Sequence, residues 1–191
     1  MMMTTSLPKI TLLMFHSRYR PSRINTALMS AANTLANLDA IDMNLLYPDG
    51  NIDVTTEVQR ILESDYLILQ FPIQWYSTPP LLQTWQDRVL TQMFYLAYEK
   101  EGRLFEGTPI LIATTAGNIK TAYEAGGQNH FSLDTLLSPL KATAWRCKLP
   151  WAAPFILYQA DQLNDVELSA ACERYVQHIQ NWQVRRFKPF K

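Results

Sequence analysis

Three loops in this chain carry residue types suited to a flat, anionic ligand. In residues 71–80, FPIQWYSTPP, the adjacent aromatics Trp75 and Tyr76 stand between the apolar run Tyr66-Leu67-Ile68-Leu69 and a Pro79-Pro80 pair suited to a helix's opening turn. Gln74, Trp75 and Tyr76 offer backbone N–H groups there, and the rings can wall a nicotinamide, a flavin or a nucleobase. The other reading is that the two rings fill a hydrophobic surface or an interface. In residues 16–25, HSRYRPSRIN, Ser22 opens a helix flanked by Arg18, Arg20 and Arg23, with Asn25 one turn inside. Free N–H groups, the helix dipole and guanidiniums together favour a phosphate, although a plain N-cap among solvated arginines fits as well. The third loop, Thr114-Thr115-Ala116-Gly117, brings hydroxyls and small residues that let backbone approach a ring edge, or that mark a tight turn. No G-x-G-x-x-G is present, which argues against a dinucleotide held in the Rossmann manner.

Five strand-like runs must position these loops. Residues 9–15 (KITLLMF), 41–46, 66–71, 109–114 (PILIAT) and a stretch within 149–158 alternate with helical patterns. Helices are expected from Ser22, with Leu28, Ala31, Leu35 and Leu38 in register, over 53–63, from Pro79, and as a short helix stopping near Pro139. Asn164 with Glu167 forms a capping box for the last helix, whose Leu168, Ala171, Tyr175, Ile179 and Trp182 share one face. Residues 91–107 break the pattern, and their crowded Met93, Phe94, Tyr95, Leu96 and Tyr98 read as an interface or a pocket wall. Alternating strands and helices predict an α/β flavodoxin-like three-layer sandwich, with a five-stranded parallel sheet in order 2-1-3-4-5 and helices on both faces. In that order the switch point lies between strands one and three, which gathers the three unusual loops at one place. Their combination is what favours a nucleotide-like cofactor.

Composition sets the outer bounds. A chain of 191 residues suits one domain, expected over 9–183 between a disordered tail at 1–8 and a basic tail at 184–191. Seventeen basic residues balance seventeen acidic ones, so no global field draws the protein to nucleic acid or favours a charge-docked one-electron shuttle. Cys147 and Cys172 form no CxxC and read as inert thiols in a reducing compartment, and His16, His130 and His178 have no metal-site spacing. Neither a signal peptide nor a membrane-spanning run is read, so a cytoplasmic location is expected.

His16 with Ser22, Arg23 and Asn25, the LYPD of residues 46–49 followed by Ile52-Asp53, the run FPIQWYSTPPLLQTWQDRVL, and T-T-x-G followed by Tyr123, Gly126-Gly127, Asn129 and Phe131 resemble the flavodoxin-fold NAD(P)H:quinone oxidoreductases. The likeness is greatest to the bacterial branch that includes the ancillary proteins of glutathione-gated potassium efflux. The resemblance implies a bound FMN, with FAD as the alternative, and NAD(P)H as co-substrate. It implies cofactor contacts at His16, Ser22, Arg23, Ile24, Asn25, Ile73, Gln74, Trp75, Tyr76, Thr114, Thr115, Ala116 and Gly117. In the proteins that the chain resembles, a tyrosine and a histidine stabilise the reduced ring and pass protons; the resemblance puts Tyr123 in that tyrosine's neighbourhood and His130 one residue off that histidine's spacing. Two departures stand out: Ala116 replaces the first glycine of T-T-G-G, and residues 91–107 lack the branch's glycine-rich character.

The activity implied is two-electron reduction of a quinone or similar small acceptor by a ping-pong mechanism, in a homodimer. The alternative is a regulatory subunit of a potassium-efflux membrane protein with incidental reductase activity, cytoplasmic or peripheral at the inner membrane.

Overall fold

The computed structural model describes residues 7–16 and 22–184. Arg18, Arg20 and most of the two expected tails lie outside the described residues. Five parallel strands form one sheet in the order β2-β1-β3-β4-β5: β1 Ile10–Met14, β2 Leu38–Asp42, β3 Tyr66–Pro72, β4 Ile110–Thr115 and β5 Phe155–Leu157. The expected fold class and strand order are those observed.

The sheet is buried on both faces because its strands are apolar at successive positions. Leu13 of β1 and Phe15 just after it pack into one core with Leu67, Leu69 and Phe71 of β3 and with Trp85 and Val89. Ile10, Leu12 and Met14 pack into the other with Ile68, Leu111 and Ala113, under α1 (Arg23–Ala32) and α8 (Asp165–Val184). The face anticipated for α8 is the one it buries: Ala171, Tyr175 and Ile179 are inaccessible to solvent. Its capping box forms as read, with Asn164 N–H donating to Glu167 Oε2 and Glu167 N–H to Asn164 Oδ1. The helix α3 (Val54–Leu62) starts where Asp53 accepts from Thr56 N–H. Cys147 is buried and Cys172 half-buried, both are free, and burial pushes the Cys147 thiol up to about 11, in keeping with inert thiols.

Four boundaries differ from the sequence expectation. β2 lies earlier, at Leu38–Asp42 instead of 41–46, because the Asp42 side chain accepts from Asn44 N–H and Leu45 N–H and turns the chain into α2 (Met43–Leu46). Leu35 and Leu38 therefore fall beyond α1, and Leu38 opens the strand. Residues 91–107 continue a helix that starts as α4 (Pro80–Trp85) and widens into π-helical turns at Gln86–Leu90 and Gln92–Leu96 before α5 (Gly102–Phe105). The wider turn shifts the side-chain period, which hides the pattern: Met93 and Phe94 are buried while Tyr95 and Leu96 face solvent. A further helix follows directly on the short one expected to stop near Pro139. The short α6 (Leu133–Leu136) ends before that residue, and Pro139 occupies the opening turn of α7 (Ser138–Arg146).

Candidate cofactor site

The sheet order places the ends of β1, β3 and β4 side by side. Phe15 N–H donates to Gln70 O at 2.8 Å, and Ile73 N–H to Thr115 O at 2.9 Å, so the three loops leave from adjacent strand ends. A polar network ties them below the surface. Ser22 Oγ caps α1, accepting from Asn25 N–H at 3.2 Å and from Asn25 Nδ2 at 3.0 Å. Asn25 is fully buried and also donates to Thr115 Oγ1 at 3.0 Å. Gln70 Nε2 donates to Asn25 O at 2.7 Å, whereas Gln70 Oε1 is buried with no partner among the described residues.

Several expected contact residues are thus committed to partners within the chain, some buried and some at the surface. Asn25 is a strut between the first and third loops, and Ile24 packs in the core under α8. Arg23 reaches the start of α8, pairing with Asp165 Oδ1 at 2.5 Å and donating to Leu163 O at 3.0 Å. Thr114 Oγ1 donates to Phe71 O at 2.8 Å, and Thr115 keeps only its own hydroxyl proton uncommitted. Ala116 is buried and its N–H donates to Leu157 O. Gly117 is exposed, and a Cβ there would meet only Asp161 Oδ2 at 3.4 Å, an ordinary contact. Nothing inside the protein demands glycine at this position, which leaves close approach from outside as its physical use.

Residues 74–77 form a two-residue hairpin turn. Gln74 N–H donates to Ser77 O and Ser77 N–H to Gln74 O, both at 2.9 Å, with Trp75 at φ 47° and Tyr76 at φ 65°. Such turns favour Asn and Gly, because bulky side chains are strained at positive φ. Two aromatics held there cost on the order of 1–3 kcal/mol each, strain of a kind that clusters at functional sites. Trp75 is 94% exposed and Tyr76 49%, which removes the core-packing reading of the pair. Among the described residues, the Trp75 and Tyr76 N–H groups have no acceptor, whereas that of Gln74 is used by the turn itself.

Tyr76 Oη donates to Asn129 Oδ1 at 3.2 Å, joining the turn to the loop that carries Tyr123. Tyr123 is buried against Ala116, Ala122 and Leu133, its ring 5.8 Å from that of Tyr158. Burial, with a smaller contribution from Tyr76, raises the Tyr123 phenol above its ordinary range and keeps it a neutral donor. His130 is exposed at φ 59°, and its ring has no hydrogen bond among the described residues. The structure therefore brings Ile73, Trp75, Tyr76, Gly117 and Tyr123 around one strand-end seat and leaves His130 at its margin.

Beside this seat opens a cleft of about 600 Å³, lined among others by His16, Tyr47, Asp49, Trp75, Leu81 and Thr84. His16 Nε2 lies 3.2 Å from both carboxylate oxygens of Asp42. Tyr47 Oη donates to Glu57, a fully solvent-excluded carboxylate that also accepts from Trp85 Nε1 and Arg60 Nε, each at 3.1 Å. Burial and the Glu57 charge push Tyr47 up to about 12. Asp42, Asn44 and Glu57 were not singled out from the sequence. The only signal for the first two was a D-x-N spacing typical of a helix start, inside a segment read as strand.

The seat fits a planar ring with polar edges: two unused N–H groups, an open glycine, exposed aromatic faces and a neutral phenol. No group of residues suited to a metal ion occurs among the described residues. No helix among them is long and apolar enough to cross a membrane. Comparison with known proteins agrees with the architecture. The ancillary protein KefF of the glutathione-regulated potassium-efflux system of Salmonella typhimurium is 36% identical over 180 residues, 91% of this chain and 97% of that protein. The structure of a thermophilic tryptophan halogenase from Streptomycin violaceusniger superposes with a TM-score of 0.82 at 30% identity, covering 93% of this chain and 99% of the other. General stress protein 14 of Treponema denticola, solved in complex with FMN, gives a TM-score of 0.78 at 27% identity, covering 92% and 98%. The model for the flavodoxin-like fold family matches residues 8–179, and the chain belongs to that family.

Proposed function

We propose that the chain is a flavin-dependent NAD(P)H:quinone oxidoreductase that binds FMN in preference to FAD. The observation that carries this reading is the strained, exposed Trp75–Tyr76 turn, with unused N–H groups beside the buried phenol of Tyr123. The FMN complex of a structural neighbour supports the choice of ring. The relatives' names differ widely, so the chemistry proposed rests on this chain's own seat.

A bound flavin supplies two-electron redox chemistry, accepting from NAD(P)H and delivering to an acceptor. The protein's share is position and electrostatics. The Trp75 and Tyr76 N–H groups hold the polar edge of the ring, and their side chains shield one face from water. Tyr123, kept neutral by burial, would present its hydroxyl as a hydrogen-bond donor to the bound ring. Gly117 admits the ring edge to the β4 turn, and the start of α1 receives the phosphate. His130, exposed at the rim, exchanges protons with solvent. A single seat served by nicotinamide and quinone in turn gives ping-pong kinetics. Parallel double-reciprocal lines test it, and intersecting lines contradict it.

The 36% identity to an efflux ancillary protein supports a second reading, a regulatory subunit of a potassium-efflux membrane protein in the cytoplasm or at the inner-membrane surface. Co-purification with a membrane partner together with negligible quinone turnover decides for it. The exposed Tyr95, Leu96 and Trp145 support a homodimer. Light scattering at micromolar concentration tests this, and a monomer contradicts it.

A further inference from the structure

We propose that Asn129 is a positioning residue for Tyr76, holding the tip of the 74–77 turn at a fixed reach from the phenol of Tyr123; the bearing on cofactor affinity rests on the flavin reading above. The base of the turn is fixed by the sheet, since Ile73 N–H donates to Thr115 O at 2.9 Å and the Ile73 side chain packs against the cluster of Ala116, Ala122, Tyr123 and Leu133. The tip is different. Trp75 and Tyr76 stand at φ 47° and 65°, the first almost wholly exposed and the second half exposed. What reaches the tip is Asn129, whose Oδ1 accepts from the Tyr76 hydroxyl at 3.2 Å. Among the described residues this is the one hydrogen bond between residues 74–77 and residues 118–131.

Asn129 is a firm anchor because its loop closes on itself. Its N–H donates to Ala122 O at 2.8 Å, and its own carbonyl accepts from Phe131 N–H at 2.7 Å. Gly127 N–H donates to Glu124 O at 2.9 Å, and a Cβ on Gly127 would come within 2.2 Å of Thr121 O and 2.8 Å of Ala122 O, so glycine is what lets the loop fold this tightly. Ala122 and Tyr123 share the 3-10 turn Lys120–Tyr123, and both are buried. The acceptor for Tyr76 and the phenol of Tyr123 are therefore tied to the same backbone turn. A site held to a fraction of an ångström needs its contact groups locked by such supporting bonds. Asn129 supplies that support to the strained turn, and so sets the spacing between its unused N–H groups and the Tyr123 hydroxyl.

The test compares the full chain with Asn129→Ala, Asn129→Asp, Tyr76→Phe and the Tyr76→Phe/Asn129→Ala double variant, by ¹⁵N relaxation of the Trp75 and Tyr76 amides in flavin-stripped protein and by FMN titration. Both amides should be ordered in the parent, with order parameters of about 0.85, and fall below about 0.6 in Asn129→Ala and in Tyr76→Phe. Asn129→Asp keeps the acceptor oxygen, so its amides should stay ordered. Tyr76→Phe removes the hydroxyl without touching the Asn129 loop, which separates loss of the bond from damage to that loop. Asn129→Ala and Tyr76→Phe should each bind FMN about fivefold more weakly, the fold-change of one net hydrogen bond. The double variant should also lose about fivefold, because both changes remove the same bond. Amides that are already mobile in the parent, or that stay ordered in Asn129→Ala, overturn the proposal. So do affinity losses that multiply to about twenty-fivefold in the double variant, or single variants within twofold of the parent. A parent chain that does not bind FMN overturns the flavin reading and the affinity half of the proposal, while the relaxation comparison still decides whether Asn129 holds the turn.

Discussion

The side-chain amide of Asn25, in the first turn of α1, donates to the hydroxyl of Thr115, the last residue of β4, at 3.0 Å in the protein interior. One buried bond therefore sets the distance between the helix start suited to a phosphate and the turn suited to a ring edge. Asn25→Ala strands the partners of that amide and is expected to cost about 1–3 kcal/mol of stability, read as a lower urea midpoint at unchanged slope, and to weaken FMN binding. A midpoint equal to the parent's contradicts the strut.

Trp75 makes the opposite case. Its side chain is almost wholly exposed and its backbone left-handed, so Trp75→Gly removes strain at little packing cost. The apoprotein should gain on the order of 1 kcal/mol, a rise of about 2–4 °C in melting temperature for a chain of this size, while FMN affinity falls. A variant that gains no stability shows that the turn stores no strain.

Glu57 is a carboxylate with no exposed surface and three donors. Glu57→Ala leaves the Tyr47 hydroxyl, the Trp85 indole and the Arg60 guanidinium short of a partner, and a loss of about 3–5 kcal/mol is expected. Chemical denaturation checks it, and a loss below 1 kcal/mol contradicts the network.

Tyr47 gives the alkaline limb a sign. Its phenol is raised from 10.0 to about 12 in the folded chain, so between those values the unfolded chain has given up a proton that the folded chain keeps. Stability from this group is complete below pH 10 and is lost as pH rises toward 12. Denaturation at pH 9 and at pH 11 should find a smaller loss for Tyr47→Phe than for the parent. Equal losses contradict the shift.

Tyr123→Phe keeps the packing against Ala116 and Leu133 and removes the donor. Loss of one preorganised donor is worth roughly 3 kcal/mol, so the reductive half-reaction in stopped flow should slow by about a hundredfold. An unchanged rate contradicts the role.

Much of the fold was legible because its determinants are local. The apolar runs of β3 and β4 and the cap residues Ser22, Asp53, Asn164 and Glu167 announce themselves in order along the chain. The candidate site was legible as three loops that the sheet brings together, but the internal partners of their residues were not. Arg23 looks free in sequence and is taken up by Asp165, 142 positions away, and Asn25 is taken up by Thr115, 90 positions away. Asp42 was hidden because the alternation of residues 41–46 suits a strand as well as it suits a strand end followed by a cap. The π-helical turns were hidden because a period of neither two nor 3.6 has no pattern to match.

The visible absorption spectrum of the purified full chain, with the released chromophore identified by chromatography, tests the central claim most directly. The expected result is a yellow protein that releases FMN in near one-to-one ratio and is bleached by NAD(P)H without oxygen. A colourless protein that leaves the fluorescence of added FMN unquenched at micromolar concentration contradicts it.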